Sequence, residues 1–308
     1  MRIGRGGLRP DAVARRPPRT VIVPPIGVQS VEQPGIPPEG EVVLGSDLLG
    51  ALAPITIRYG PGVYPLTDAS RVTLRAVAAA GRLHGRGVDW GCGTGCLAIA
   101  AARHTAVRQV IGLDVVTANV LTARENVALN GMNERVAIVH ADSYDPLDDG
   151  ARPLLESLHG QVDFVVANPP ASPADDGFSF RRRVVRDAAR FVRDGTVFLV
   201  QISAQYGRER IHSLEAELPG LRYEGCAAST PWVAFDQTRP DLRYLLRAYA
   251  AHEDRGGAAY AFGDPRDPNA AQIDARAALA IYCEVGASPL SRWQVHEFRW
   301  RPPQAGGS

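Results

Sequence analysis

The fold is decided by the stretch Val88-Asp89-Trp90-Gly91-Cys92-Gly93-Thr94-Gly95. Its first part, with residues 87–90, predicts a short strand, and the alanine-rich residues 95–103 predict a helix. The G-x-G-x-G spacing lets the backbone between them turn sharply and approach a ligand closely. Because a helix N-terminus presents free N–H groups and a partial positive charge, the stretch predicts a turn that binds a nucleoside.

Helix-like and strand-like segments alternate on both sides of this turn. Further strands are predicted at residues 109–114, 136–140, 162–167 and 196–202, and helices at 69–83, 117–130 and 178–192. Asp68 and Ser70 are the cap candidates of the first helix. The alternation predicts an α/β fold with a mostly parallel sheet and helices on both faces. Later strands at 221–228 and 292–300 would complete the sheet as an antiparallel pair.

A second motif, Asn168-Pro169-Pro170, directly follows the apolar strand 162–167. The two prolines fix their own φ and donate no hydrogen bond, so they predict a rigid turn at the carboxyl edge of the sheet, where open α/β sheets bind ligands. The Asn168 side-chain oxygen and the Pro169 carbonyl could accept two hydrogen bonds from one NH₂ group. The alternative is an ordinary turn at the end of a strand.

Two carboxylates support a bound nucleoside, and one of them favours S-adenosylmethionine (SAM). Asp89 lies in the strand before the turn, where it could meet the amino group of the methionine part. Asp114 ends the next strand, where a carboxylate would accept both ribose hydroxyls of SAM or of a dinucleotide. The tight glycine spacing and the position of Asp89 favour SAM over a dinucleotide.

The third strand leads to the predicted adenine site. Asp142 with Ser143 could receive the adenine amino group, and Val115 and Tyr144 are expected against the two faces of the ring. The alternative for Asp142 is a simple turn or cap residue.

Composition excludes several classes of protein. The 308 residues carry a net charge of +1 and contain no lysine, so the whole chain gives no electrostatic signal for nucleic acid. The basic triplet Arg181-Arg182-Arg183 is interpreted as a solvated helix face. No apolar run reaches 18 residues, so no membrane span is expected. The four cysteines lie at positions 92, 96, 226 and 283 and lack metal-site spacing. They predict buried fillers in a reducing cytoplasm and no bound metal.

Together these motifs resemble the class I SAM-dependent methyltransferases that carry an Asn-Pro-Pro motif. The likeness is strongest to release-factor glutamine N-methyltransferases and weaker to RNA guanine-N2 methyltransferases. It covers roughly residues 54–210, including the stretches 57–65 and 176–183. The resemblance implies a Rossmann-like sheet with an antiparallel last strand, a short N-terminal β segment and an inserted cap.

Carried over by position, the resemblance implies a role for each motif residue. The residues placed around SAM are Pro65, Thr67, Asp89, Gly91, Cys92, Gly93, Gly95, Asp114, Val115, Asp142, Ser143 and Tyr144. Asn168, Pro169 and Pro170 form the catalytic clamp on the acceptor nitrogen, and S-adenosylhomocysteine is the product.

One departure from the family concerns the acceptor. The family usually places an aromatic residue after Asn-Pro-Pro, whereas this chain has Ala171. Phe178, Tyr206 and Trp232 are therefore the predicted replacements in the substrate wall, and Trp232 opens an insertion over the active site. The alternative for Trp232 is a core or hinge residue.

The predicted domain organisation has four parts. Residues 1–40 form a Pro/Gly/Arg-rich tail, residues 41–230 and 291–302 the methyltransferase domain, residues 231–290 the insertion with helices near 241–252 and 271–285, and residues 303–308 a flexible end. The alternative for the insertion is a peripheral decoration.

The function expected from the sequence is N-methylation of an amino, amide or guanidino nitrogen. The acceptor would be a small molecule or a protein side chain, in the cytoplasm; a nucleic-acid acceptor is allowed but not favoured, and the sequence does not give the oligomeric state. The alternatives are an oxygen or carbon acceptor in a natural product, an RNA acceptor, and a SAM-binding scaffold without transfer.

Overall fold

A computed structural model describes residues 39–60, 63, 66–172 and 175–303. The predictions for Pro65, for nearly all of the tail 1–40 and for residues 304–308 lie outside these residues. No helix in the described part of the chain is both long and apolar enough to cross a membrane.

The described chain starts with a small antiparallel hairpin. Its elements, with the helix that follows, are β1 (Gly40–Leu44), α1 (Ser46–Leu49), β2 (Ile55–Tyr59) and α2 (Asp68–Ala79). The side chain of Thr67 caps α2 by accepting from the Ser70 N–H at 3.3 Å. The prediction of Asp68 or Ser70 as the cap is therefore wrong by one to three residues, because Thr67 is the last extended residue before the helix.

The central sheet is built from two successive groups of strands and helices. The first group is β3 (Gly85–Trp90), α3 (Cys96–Ala102), β4 (Val107–Asp114), α4 (Thr117–Leu129), β5 (Val136–Asp142) and the two-residue β6 (Asp145–Pro146). The second is α5 (Arg152–Glu156), β7 (Val162–Ala167), α6 (Ser179–Asp187), β8 (Val192–Gln201), α7 (Gly207–Glu217) and β9 (Leu221–Ser229). The chain ends with an insertion and the last strand: β10 (Val233–Ala234), α8 (Pro240–Asp254), α9 (Ala275–Val285), β11 (Leu290–Ser291) and β12 (Gln294–Trp300).

Eight of these strands form one sheet in the order β6-β5-β4-β3-β7-β8-β12-β9. Strands β3, β4, β5, β7 and β8 run parallel, and β12 lies antiparallel between β8 and β9. This confirms the predicted α/β class with a mostly parallel sheet and an antiparallel last strand. The strand order reverses between β3 and β7, so the crevice at their carboxyl ends is the expected ligand position.

Each face of the sheet is covered by its own hydrophobic core. Helices α2, α3 and α4 pack on one face, with Val77, Ile99 and Ala123 buried there. Helices α5 to α9 contribute to the core on the other face, for example through Val184 and Leu246. Strand β7 is buried at all six residues, which is why it reads in the sequence as a continuous apolar run.

Two predictions about local structure need correction. Helix α6 ends at Asp187 and not near residue 192, because β8 begins at Val192. Only two of the cysteines are buried fillers, since Cys226 and Cys283 are exposed.

The outer edge of β2 is paired with side chains and not with another strand. The Asn126 amide accepts from the Arg58 N–H and donates to the Arg58 carbonyl, both at 2.8 Å. Asn130 makes the same pair of bonds with Thr56, at 2.9 and 2.7 Å. The two asparagines reach alternate residues of β2 because four residues of a helix rise about 6 Å, which is close to the about 6.6 Å that two residues of a strand span. Asn126 also donates to the Thr94 carbonyl at 2.9 Å, which ties the hairpin to the glycine-rich turn.

Candidate active site

The register of β3 and β7 brings the two sequence motifs together. Trp90 is paired with Ala167 in this parallel pair, so Gly91 and Asn168 are the next residues on adjacent strands. The glycine-rich turn and the Asn-Pro-Pro loop (residues 168–170) therefore leave the sheet side by side, at the point where the strand order reverses.

The glycine-rich turn keeps open space above its backbone. Gly91 and Gly93 have φ of +68° and +55°, and a Cβ built on either would meet no atom within 4 Å. Only glycine adopts such angles without strain, and the absence of side chains leaves the backbone accessible to a ligand. Gly95 is the N-cap of α3. The thiol of Cys92 is buried, and burial raises its pKa, so Cys92 contributes its backbone to the turn rather than a reactive group.

Asp89 is a fully buried acid with one unsatisfied oxygen. Its Oδ2 accepts from the Ala98 N–H in α3 at 2.9 Å, whereas Oδ1 has no hydrogen-bond partner in the described part of the protein. Burial raises the pKa of this carboxyl from 3.8 to about 7, against the lowering effect of the Ala98 hydrogen bond, and the nearby Asp114 raises it further. A buried unsatisfied oxygen is costly unless a donor completes it, so the site fits a positively charged amino group.

Asp114 is held between the turn and the start of α4. Its carboxylate accepts from the Gly93 N–H at 2.8 Å and from the Val116 N–H at 2.9 Å. The Asn119 amide donates to both carboxylate oxygens at 3.2 Å, and the Asn119 Oδ1 is itself buried without a partner. Sequence analysis missed Asn119, because an asparagine in the first turns of a helix carries no motif; its spacing of five residues from Asp114 was the only signal.

The predicted adenine site is only partly assembled as expected. Asp142 is half exposed and its Oδ1 accepts from Arg183 Nη1 at 2.8 Å, and Val115 is exposed. Ser143 is buried, with φ of +59°, and its Oγ accepts from the Trp90 indole N–H at 2.8 Å. Asp142 and Val115 therefore stay accessible, while the Ser143 hydroxyl holds Trp90, the residue before the turn.

Tyr144 is placed in the core and not against a ligand. It forms the tip of the β5–β6 hairpin together with Ser143, because Asp142 pairs with Asp145. Its ring is 2% exposed and stacks on Phe191 with centroids 4.7 Å apart. The expectation that Tyr144 covers an adenine face is therefore corrected: the left-handed backbone at Ser143 directs the following side chain inward.

The Asn-Pro-Pro loop is linked to the start of α2. The Asn168 amide nitrogen donates to Ser70 Oγ at 3.2 Å, and Ser70 Oγ lies 3.2 Å from the Thr67 hydroxyl. Among the described residues, Asn168 Oδ1 has no hydrogen-bond partner, and the residue is only half buried. The carbonyls of Pro169 and Pro170 accept from Arg181, at 3.1 and 3.2 Å.

The interpretation of Arg181-Arg182-Arg183 as a solvated face is wrong. Arg181 is only 3% exposed. Arg182 makes a bidentate pair with Asp176 at 2.9 and 2.6 Å. Arg183 pairs with Asp142 and with Asp187 at 3.1 Å. The three guanidinium groups are thus bound by other groups of the protein, so they form no cluster of free cations that could bind phosphate groups.

The aromatic residues predicted for the substrate wall lie in two places. Phe178 and Tyr206 are buried with ring centroids 5.3 Å apart, so neither presents an open face in this structure. Trp232 is half buried, and the Arg292 guanidinium lies 4.4 Å from its ring centroid. Ala171 is half buried beside the loop.

The insertion is docked onto the segment that follows the Asn-Pro-Pro loop. Tyr260 donates to the Asp176 carbonyl at 2.8 Å, and Tyr249 shares a 2.8 Å hydrogen bond with Tyr206. Strands β10 and β11, which lie at the two ends of the insertion, pair with each other. The insertion therefore packs on the same edge of the sheet as the two loops.

Comparison with known proteins found relatives that match about half of the chain. A release factor glutamine methyltransferase of Mycolicibacterium smegmatis is 34% identical over 166 residues, which cover 47% of this chain and 56% of the relative. A ribosomal protein uL3 glutamine methyltransferase of Neisseria meningitidis is 29% identical over 153 residues, covering 43% and 46%. The chain thus spans about half the length of these curated relatives. A solved ribosomal protein L11 methylase of Lactobacillus delbrueckii superposes with a TM-score of 0.43 at 20% identity, covering 55% of this chain and 78% of the other.

The family assignment rests on a match to a family model. The model of the methyltransferase small domain matches residues 55–219, from β2 to the loop after α7. That range is more than half of the chain and includes both the glycine-rich turn and the Asn-Pro-Pro loop. The chain therefore belongs to the methyltransferase small domain family.

Proposed function

We propose that this protein transfers the methyl group of SAM to a nitrogen of a protein side chain, with a glutamine amide as the first candidate. The observation that carries the proposal is the register of β3 and β7, which sets the glycine-rich turn beside Asn168. The matched relatives are named for glutamine in a release factor or in ribosomal protein uL3, which supports the choice of acceptor.

The residues around the turn are suited to hold SAM. Asp89 Oδ1 would accept from the methionine ammonium, which completes its unsatisfied oxygen. Asp114 would accept from the ribose hydroxyls once the Asn119 amide moves aside, and Asp142 with Val115 would border the adenine. When bound, SAM supplies an electrophilic methyl group on a sulfonium.

The Asn-Pro-Pro loop offers two acceptors for one planar NH₂ group. Asn168 Oδ1 has no partner in the part of the chain that the structure describes, and the Pro169 carbonyl has a second lone pair besides the one that Arg181 uses. Two hydrogen bonds from the acceptor amide would fix its plane and therefore the direction from which the nitrogen approaches. Such positioning supplies a large share of the rate in reactions whose reagent is already activated.

The insertion, residues 231–290, would form a cap on the acceptor side of the methyltransferase domain. Its contacts through Tyr260 and Tyr249 with the segment after the loop support this assignment. Trp232 and Ala171 are the half-buried candidates for the substrate wall.

The test is a transfer assay with SAM labelled in its methyl group. The acceptors are purified peptide-chain release factor and purified ribosomal protein uL3 from the same organism, followed by mass spectrometry of the modified residue. Label on a glutamine nitrogen is the expected result. Label on an oxygen or carbon atom, or SAM binding without transfer to either protein, would contradict the proposal.

A further inference from the structure

We infer that Arg181 is a positioning residue, which holds the Asn-Pro-Pro loop in the shape that the methyl acceptor requires. The inference rests on the proposed function, since the loop is taken to be the acceptor clamp. It gives a role to a residue that the sequence had suggested to be solvent-exposed, and whose side chain does not touch the reacting atoms.

All five N–H donors of the Arg181 guanidinium have an acceptor. Nε donates to the Gln201 carbonyl at 3.0 Å, and Nη1 donates to the carbonyls of Pro170 and Gly177 at 3.2 and 3.3 Å. Nη2 donates to the Pro169 carbonyl at 3.1 Å and to Gln201 Oε1 at 3.0 Å. A guanidinium has five donors, so none is left for a ligand and the group serves only to join these segments.

The charge of Arg181 is compensated in an unusual way. Its neighbours Arg182 and Arg183 pair with carboxylates, whereas Arg181 has no carboxylate partner among the described residues. The guanidinium carbon lies instead 4.8 Å from the ring centroid of Tyr206 and 5.8 Å from that of Phe178. A buried cation without a counter-ion is expensive, and an uncharged residue would fill the same space at lower cost. The presence of Arg181 at this buried position therefore indicates that its five hydrogen bonds are needed.

The loop cannot supply that geometry itself. Pro169 and Pro170 have no N–H group, so neither can donate a backbone hydrogen bond that would tie the turn down. Arg181 provides the missing donors from the following helix, α6. Arg181 also connects the loop to the sheet, because it donates to Gln201, the last residue of β8. The Gln201 side chain is itself held in place, since its amide donates to Ser203 Oγ at 2.9 Å.

The consequence concerns the Pro169 carbonyl, the second acceptor of the proposed clamp. With Arg181 in place, this oxygen is fixed and keeps one lone pair for the acceptor nitrogen. Without it, the carbonyl is free to turn, and the two acceptors no longer fit one planar NH₂ group.

The experiment compares Arg181→Met and Arg181→Lys with the control Arg186→Met. Arg186 lies on the same helix with a side chain that is 58% exposed. Hydrogen–deuterium exchange is measured for the peptides that cover Asn168–Ser172 and Gly91–Gly95, SAM affinity by calorimetry, and kcat and KM with the release factor or uL3.

For Arg181→Met we expect faster exchange at the N–H groups of Asn168, Ala171 and Ser172, since the two prolines have none, and unchanged exchange in residues 91–95. We also expect kcat to fall about 30-fold or more, with SAM affinity within twofold of wild type. Arg181→Lys should fall in between, because an ammonium has three donors and no planar fork. Arg186→Met should match the wild type throughout.

The inference is overturned if a folded Arg181→Met protein keeps wild-type exchange in the loop or kcat within threefold. Should Arg181→Met fail to fold, the lysine variant decides in the same way, since wild-type exchange and kcat in that protein also overturn it. A wild-type protein that methylates neither release factor nor uL3 counts against the proposed function, whereas the exchange measurements still decide the role of Arg181.

Discussion

The two loops that meet at the carboxyl edge of the sheet are held in different ways. The glycine-rich turn is fixed by its own backbone and by Asp114, and it leaves open space and one unsatisfied Asp89 oxygen. The Asn-Pro-Pro loop is fixed by the buried side chain of Arg181 from α6 and by the Ser70 hydroxyl at the start of α2. The two loops are therefore anchored by different elements: the glycine-rich turn by Asp114, 21 residues after Gly93, and the Asn-Pro-Pro loop by Arg181, 12 residues after Pro169. Because the anchors are separate, we expect changes on the proposed acceptor side to leave the proposed cofactor side intact.

The sharpest test of this separation is Asn168→Ala. Its proposed partner is the acceptor nitrogen, so its loss removes orientation but no contact to SAM. We expect kcat to fall about 100-fold or more and the dissociation constant of SAM to stay within twofold. Turnover that survives within a few-fold would show that the loop is only a turn. Asn168→Asp is a useful companion, since it keeps an acceptor oxygen but loses the donor to Ser70.

The converse test is Asp114→Ala, which should act on the cofactor side alone. Hydrogen bonds to a carboxylate contribute about 1.5–3 kcal/mol each, so we expect SAM affinity to fall at least about tenfold. Calorimetry gives the affinity. Because Asp114 also anchors the Gly93 N–H, circular dichroism and thermal unfolding must first establish that the variant is folded. Unchanged affinity in a folded variant would remove Asp114 from the cofactor site.

A pH titration addresses Asp89. Its pKa in the folded protein is raised to about 7 by burial, so below pH 7 the carboxyl is mostly protonated. Binding of the SAM ammonium should displace that proton, and the apparent affinity should fall about tenfold per pH unit between about pH 7 and 5.5. Asp89→Asn should show no such slope, and a wild-type affinity that is independent of pH in this range would contradict the pairing.

The raised pKa of Asp89 also makes the stability of the folded protein depend on pH. The folded pKa lies above the unfolded value of 3.8, so the folded state favours the protonated form of Asp89. Its stabilising contribution is complete below about pH 4 and is lost as the pH rises to about 7. SAM should offset this loss, since it provides the missing partner.

The smallest expected effect belongs to Trp232→Ala. If the insertion forms the substrate wall, KM for the acceptor protein should rise about threefold while kcat and SAM affinity stay unchanged. Trp232→Phe is the matched control, because it keeps an aromatic face beside Arg292. Lower thermal stability with unchanged KM would assign Trp232 to the core of the insertion.

Sequence analysis predicted the elements and the positions of the motifs better than the contacts between them, for a physical reason. The strands, the order of elements and the positions of Asp89, Asp114 and Asn168 follow from local patterns of polarity and turn residues. The burial of Arg181 does not, because its acceptors lie at positions as far apart as 169 and 201. The inward direction of the Tyr144 side chain could not be predicted from the sequence either, since it depends on the left-handed backbone conformation of one residue, Ser143.

The pairing of β2 with two asparagine amides has a consequence for the newly made chain. A strand edge with free N–H and C=O groups invites pairing with other chains. Asn126 and Asn130 close that edge, yet they lie 68 and 74 residues after their partners Arg58 and Thr56. During synthesis the hairpin leaves the ribosome first and stays open until α4 has followed. Until the two asparagines bind it, the edge of β2 can therefore pair with other chains, which promotes aggregation.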